Sequence, residues 1–108
     1  MDFEEEILFE RQGEIVKAIA HPLRIAVVHF LAAGPQCVCD IAEYVNSERS
    51  NVSKHLSIMV SAGVLSSQKK GLKVIYKLKR PCIFEFLGCI NQCLIQQHKE
   101  NEKIMKLI

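Results

Sequence analysis

The residues best suited to chemistry in this chain of 108 residues are its five cysteines, set as Cys37-x-Cys39 and then Cys82, Cys89 and Cys93. Thiolates are soft ligands and good nucleophiles. Two of them one residue apart, at the start of a helix, can both face one soft ion, and the helix N-terminus lowers their pKa values. The later three fall with Phe86 on one face of a helix, at about 100° per residue. Cys82 and Cys93 are then about 16 Å apart along that helix, so they cannot share an ion within one chain. Two such helices running antiparallel in a dimer can bring Cys82 of one to Cys93 of the other. Cys89 and Cys93, one turn apart, can chelate as a pair. Two other readings stay open. Cysteine is a small hydrophobe, so the stripe Cys82, Phe86, Cys89, Ile90, Cys93, Leu94 equally suits packing between helices. Thiols on paired helices can also form a disulfide or persulfide and shift their geometry.

A second constellation is basic and polar. Residues 49–80 hold Arg49, Lys54, Lys69, Lys70, Lys73, Lys77, Lys79 and Arg80 and no acid. Residues 1–14 hold Asp2, Glu4, Glu5, Glu6, Glu10 and Glu14 against the single base Arg11. A basic stretch inside a chain of net charge +2 points to a polyanion partner, or to a solvated basic face. Arg49, Ser50, Asn51, Ser53, Lys54 and His55 cluster at the start of one helical segment. Short side chains there let a helix sit deep in a DNA major groove. Asn51 suits an adenine edge, Lys54 a guanine edge or a phosphate, and His55 a phosphate or backbone hydrogen bond rather than a metal. Lys69, Lys70 and Lys73 suit phosphates or the adjoining minor groove. His21 reads as structural at a helix junction, and His29 as a core or edge histidine. His98 is a ligand only if it points toward a cysteine cluster.

The elements that must position these groups are mostly helices. Spacing predicts helices near Phe3–Ala20, Leu23–Ala33, Val38–Val45, Arg49–Ala62 and Cys82–Lys106. Ile7, Leu8, Ile15 and Ile19 mark the apolar positions of the first. The second is nearly all apolar and should be the buried centre. Pro22 sits where a first helical turn tolerates it, Gly34-Pro35 stops the second helix, and Gly63 caps the fourth. Val52, Leu56, Met59 and Val60 share the buried side of the fourth. The period then changes to 2 over residues 64–69 and 73–78, two strands about the basic tip Lys70-Gly71-Leu72. The fold class is therefore mainly α with a small β-hairpin, a winged helix-turn-helix. It is read as a single domain over 1–108, with N- and C-terminal dimerisation helices.

The landmarks Ile19-Ala20-His21-Pro22-Leu23-Arg24-Ile25, Cys37-Val38-Cys39-Asp40-Ile41, Asn51-Val52-Ser53-Lys54-His55-Leu56 and Ala62-Gly63-Val64-Leu65 resemble those of the ArsR/SmtB family. The resemblance runs from about Ile15 to the C-terminus. It implies a homodimeric repressor that binds double-stranded operator DNA and lets go when a metal or metalloid binds. In the family the Cys-Val-Cys-Asp segment supplies thiolates to arsenite or antimonite in some members and to cadmium or lead in others. This chain departs from both patterns. Ala42 stands where the arsenite type has a third cysteine, and residues 1–36 lack the cysteines of the cadmium type. A ligand satisfied by two thiols, such as a monosubstituted trivalent arsenical, suits that pair. Cys82 and Cys93 align with two histidine ligands of the family's interhelical site. Arg80 and Gln96 replace its carboxylates, which favours a thiophilic ion over zinc.

The expectation is thus a DNA-binding transcriptional repressor released by a thiophilic metal or metalloid, arsenite first, bound by Cys37 and Cys39 or by Cys82, Cys89 and Cys93. A thiol redox or persulfide sensor on the same scaffold is the alternative. An enzyme is not expected, since no C-x-x-C and no phosphate-cradling Gly-rich loop occurs. No organic cofactor and no membrane partner are expected. The apolar runs fall far short of the roughly 18 residues a span needs. The acidic start Met1-Asp2-Phe3-Glu4-Glu5-Glu6 is unlike a secretory signal, which places the protein in the cytoplasm.

Overall fold

The computed structural model describes residues 1–108. Helix α1 spans Phe3–Ile19. Asp2 caps it by accepting from the Glu5 backbone N–H at 2.8 Å, and Glu4, Glu5 and Glu6 fill its first turn, where the helix dipole favours negative charge. That backbone hydrogen bond holds the Asp2 carboxyl below its ordinary pKa. Helix α2, Pro22–Ala32, meets α1 at 86°. Its cap is His21, whose Nδ1 accepts from the Leu23 N–H at 3.0 Å, with Pro22 in the first turn.

A short strand β1, Gln36–Cys37, leads into helix α3, Val38–Tyr44. Four residues turn the chain into helix α4, Arg49–Ser61, with Asn46 at φ 54°, in the left-handed region that asparagine tolerates. Gly63, at φ 80°, ends α4, and the Val64 N–H returns to the Met59 carbonyl at 3.0 Å. Strands β2, Leu65–Lys70, and β3, Lys73–Leu78, form the hairpin, with Gly71 at φ 63° opening its two-residue turn. Helix α5, Pro81–Lys106, closes the chain.

The helices begin and end within a residue or so of where the spacing puts them. The sheet is larger than expected. Its order is β1-β3-β2, with Gln36 opposite Tyr76 and Cys37 opposite Ile75. Two residues carry too short a pattern to register as a strand, and only the pairing with β3 defines them.

The core lies where α2, α3, α4 and the hairpin base meet. Val27, Val28, Leu31, Ile41, Val52, Leu56, Met59, Val64 and Leu65 are buried there. Val60 packs at the margin. Of the apolar positions named on α1, Ile19 is buried, while Ile7, Leu8 and Ile15 are exposed. Helix α5 contributes only Leu87 to the buried set. The Cα radius of gyration is 17.3 Å, against about 13 Å for a compact chain of this size. The two terminal helices therefore extend away from the body with apolar side chains uncovered, which a lone chain in water does not favour.

Candidate nucleic-acid interface and thiol centre

Helix α4 turns its apolar side into the core and leaves Arg49, Ser50, Asn51, Lys54 and Ser57 exposed. Ser53 and His55 are half-buried. No side chain caps the first turn of α4, because Glu48 makes no such bond. Asn51 Nδ2 donates to Ser47 Oγ at 2.9 Å, which ties it to the preceding turn. His55 Nδ1 accepts from Arg24 Nε of α2 at 3.0 Å, and its ring stands 4.6 Å from that of His21. Burial first, then the Arg24 guanidinium, then His21, hold His55 below the ordinary imidazole pKa of 6.5.

Lys69, Lys70 and Lys73 are exposed at the hairpin tip, where Lys70 and Lys73 are directly opposite. Like charges in that register oppose strand pairing. The neighbouring Leu72 is fully exposed at the turn. This tip stands on the same hairpin whose base, Leu65 and Leu78, packs in the core beside α4.

The thiol centre sits at the start of α3, where Cys39 lines a groove with Glu48 and Arg49 at the start of α4. Cys37 is buried, half in β1 and half as the cap of α3, and its Sγ accepts from the Asp40 N–H at 3.4 Å. Cys39 is half-buried and its sulfur is joined to that of Cys37 as a disulfide, with the Cα atoms 5.4 Å apart. The Asp40 carboxylate completes a group whose ligand atoms all lie within 4.8 Å of one another. Once reduced, the pair offers two thiolates beside one carboxylate, a donor set that fits a thiophilic ion. Ala42 is buried in the core, so that position adds no donor.

The cysteines of α5 are brought together with nothing in one chain. Cys82, Cys89 and Cys93 are free and exposed. His98 pairs with Glu102 at 3.0 Å on its own helix rather than turning to a cysteine. His29 is exposed and meets Phe84 edge-on, its ring centre 5.3 Å away, an edge histidine. Sequence reasoning did not single out Arg24 or Asp40. No local spacing signals Arg24, whose partner His55 lies 31 positions along the chain.

Two helices joined by a four-residue turn, braced by a sheet whose hairpin projects beside the second, define a winged helix-turn-helix protein. The profile described as "Bacterial regulatory protein, arsR family" matches residues 21–67. The HTH-type transcriptional repressor SmtB of Mycobacterium tuberculosis is 34% identical over 71 residues, covering 66% of this chain and 53% of that protein. The chain thus spans about half the length of that relative. An uncharacterised HTH-type transcriptional regulator of the same species is 32% identical over 92 residues, covering 84% of this chain and 81% of the relative. The arsenical resistance operon repressor of Staphylococcus xylosus is 29% identical over 86 residues, covering 80% and 79%. The homodimeric winged helix-turn-helix DNA-binding domain of a possible ArsR-family regulator from Mycobacterium bovis shares the fold, with TM-score 0.77 at 20% identity over 94% of this chain and 93% of that one. The chain belongs to the ArsR/SmtB family of transcriptional regulators.

Proposed function

We propose that this protein is a homodimeric, cytoplasmic transcriptional repressor that releases operator DNA when a thiophilic metal or metalloid binds Cys37 and Cys39. The observation that carries the reading is the position of Cys37, which is at once the last residue of β1, paired to β3 of the wing, and the cap of α3. Helix α3 packs directly on α4, and β1 reaches it through β3 and β2.

The DNA half rests on chemistry. Asn51, Ser50 and Ser53 supply short donors and acceptors for base edges, and Arg49, Lys54 and His55 suit bases or phosphates. The uncapped first turn of α4 favours a phosphate oxygen. Lys69, Lys70 and Lys73 hold the backbone beside the groove and gain a counter-charge for their mutual repulsion. The uncovered apolar residues of α1 and α5 supply the dimer interface, and a protein of the same fold is homodimeric.

For release, a bound ion supplies Lewis acidity toward sulfur. Coordination draws Cys37 Sγ toward the ligand and away from the Asp40 N–H, so the cap on the first turn of α3 weakens. Cys37 also carries the β1–β3 ladder, so the same change reaches the wing. The ligand shifts the equilibrium only by its preference for the low-affinity arrangement, typically about 5- to 150-fold. Arsenite or a monosubstituted trivalent arsenical is the first choice, given two thiolates and Ala42; antimonite, cadmium, lead and zinc are the competitors. Cys82, Cys89 and Cys93 are the second candidate set, completed only by the partner's α5.

Operator binding of reduced protein, followed by anisotropy with each ion added, tests this. Release abolished in Cys37→Ser/Cys39→Ser supports the site at α3, release abolished only in Cys82→Ser/Cys93→Ser moves it to α5, and no release by any ion refutes ligand sensing. The disulfide favours a second reading, in which the two thiols give two electrons and two protons to hydrogen peroxide, forming the S–S bond and two waters. Release by peroxide, reversed by a dithiol and absent in Cys37→Ser, identifies that case.

A further inference from the structure

We propose that Arg24 is a positioning residue for DNA recognition: through its Nε–H bond to His55 it ties α2 to the recognition helix α4 and fixes the orientation and tautomer of the His55 ring. This rests on the DNA-binding reading above. The geometry is unusual for an arginine. No carboxylate lies within ion-pair distance of Arg24 or His55, since the one ion pair in the chain is His98 with Glu102. Arg24 instead directs Nε to a neutral ring nitrogen at 3.0 Å and reaches the Lys17 carbonyl with Nη1 at 3.4 Å. A charged donor bonded to Nδ1 requires that nitrogen to be bare, which leaves Nε2 as the protonated, donating nitrogen of His55. His21 stands against the ring of His55, and its own Nδ1 is held by the Leu23 N–H.

The tie spans three helices. Arg24 joins α2 to α4 through His55 and α2 to the end of α1 through Lys17. The charged groups around it are few. His21 caps α2, and Glu14 and Lys17 of α1 line the cleft shared with Arg24, Ser57 and Ser61. Lys54 precedes His55 on α4. Glu43 of α3, with Glu48 and Arg49, lines a different groove, the one beside Cys39. Lys69 and Lys70 of β2 are at the wing tip. Protonating His55 removes the acceptor and sets two cations face to face, so the tie holds only while the ring is neutral.

The test uses the full chain, reduced, and a short duplex that the wild-type protein selects from a randomised pool, with an unrelated duplex as the non-specific control. Arg24→Met is expected to weaken the selected duplex about tenfold while the unrelated duplex and the salt slope stay unchanged. Arg24→Lys keeps the charge but not the Nε–H, and is expected to behave like Arg24→Met. The double variant with His55→Ala should be no weaker than His55→Ala alone, because the two act as one unit. By NMR the His55 titration midpoint should rise in Arg24→Met. Weaker binding to both duplexes, with a salt slope reduced by about one per protomer, makes Arg24 a direct phosphate ligand and overturns the proposal. So does multiplication of the two single-variant effects, or an unmoved His55 midpoint. Failure of the wild-type protein to select any duplex refutes the DNA-binding reading, and this inference with it.

Discussion

Neutralising the wing tip separates DNA affinity from stability, because the same lysines act on the two in opposite directions. In the triple variant Lys69→Ala/Lys70→Ala/Lys73→Ala a dimer loses three charges from each of two exposed tips. If every one neutralises a phosphate, the slope of log affinity against log salt falls by about 0.9 for each, or about 5 in all. A fourfold rise in salt then closes the gap between wild type and variant by about three orders of magnitude. Selected and unrelated duplexes should weaken alike, because phosphate contacts carry no sequence information. The folded state should not suffer. Lys70 is directly opposite Lys73, and removing a like-charge pair in that register should stabilise the hairpin by about 0.2–1 kcal/mol. Anisotropy titrations across a salt series and a urea melt of the same samples measure both. An unchanged salt slope refutes the wing as a phosphate clamp. A slope that falls together with a large loss of stability refutes the view that the tip is built for a polyanion rather than for the fold.

Leu56→Ala empties a fully buried position on the inner side of α4 and should cost about 2–5 kcal/mol in urea unfolding. In reduced protein, Cys37→Ser should leave stability nearly unchanged, since serine caps a helix well, while abolishing any response to arsenite in the binding assay. For pH, His55 has a folded value below its ordinary 6.5, so the unfolded chain binds more protons as pH falls through that region. Stability should therefore be complete above about 6.5 and fall as pH drops through it, by an amount reduced in His55→Asn; a urea midpoint that is flat between pH 8 and pH 5 contradicts the assigned shift.

Much of the fold was legible in the residues because local and global signals agree. Gly63 and Gly71 fall where positive φ is needed, Pro22 where a first turn accepts it, and Val52, Leu56 and Met59 repeat at helical spacing on the face that is buried. What stayed hidden depends on distant partners. Strand β1 exists only because Gln36 and Cys37 meet β3. The tie from Arg24 to His55 spans 31 positions, and no periodicity encodes it. Spacing picked out Ile7, Leu8 and Ile15 as apolar positions of α1, and within one chain they remain exposed. Amphipathic spacing says that a face needs cover, not which molecule covers it.

The recognition helix is anchored by core packing, while the neighbouring start of α3 is held by a weaker contact, and this bears on how a small ligand moves it. Toward the core it is held by Val52, Leu56 and Met59, all fully buried, which resist displacement because close packing has few alternatives. Toward α3 it is held through Ile41 and Ala42, one turn from a cap made by a single sulfur. A sulfur accepting one backbone N–H is a weaker constraint than a filled core. The start of α3 is therefore more compliant than its core-facing turn at Ile41, and a change in bonding at Cys37 acts there without opening the core. A coupling of about 1–3 kcal/mol, enough for a regulatory switch, is within reach of losing a helix cap together with two residues of a strand ladder. The same sum is far from the cost of exposing Leu56 or Met59. Cys37→Ser separates these two hinges, for it keeps the cap and removes the ligand. If that variant still releases DNA on arsenite addition, the compliant hinge is at α5 and its cysteines.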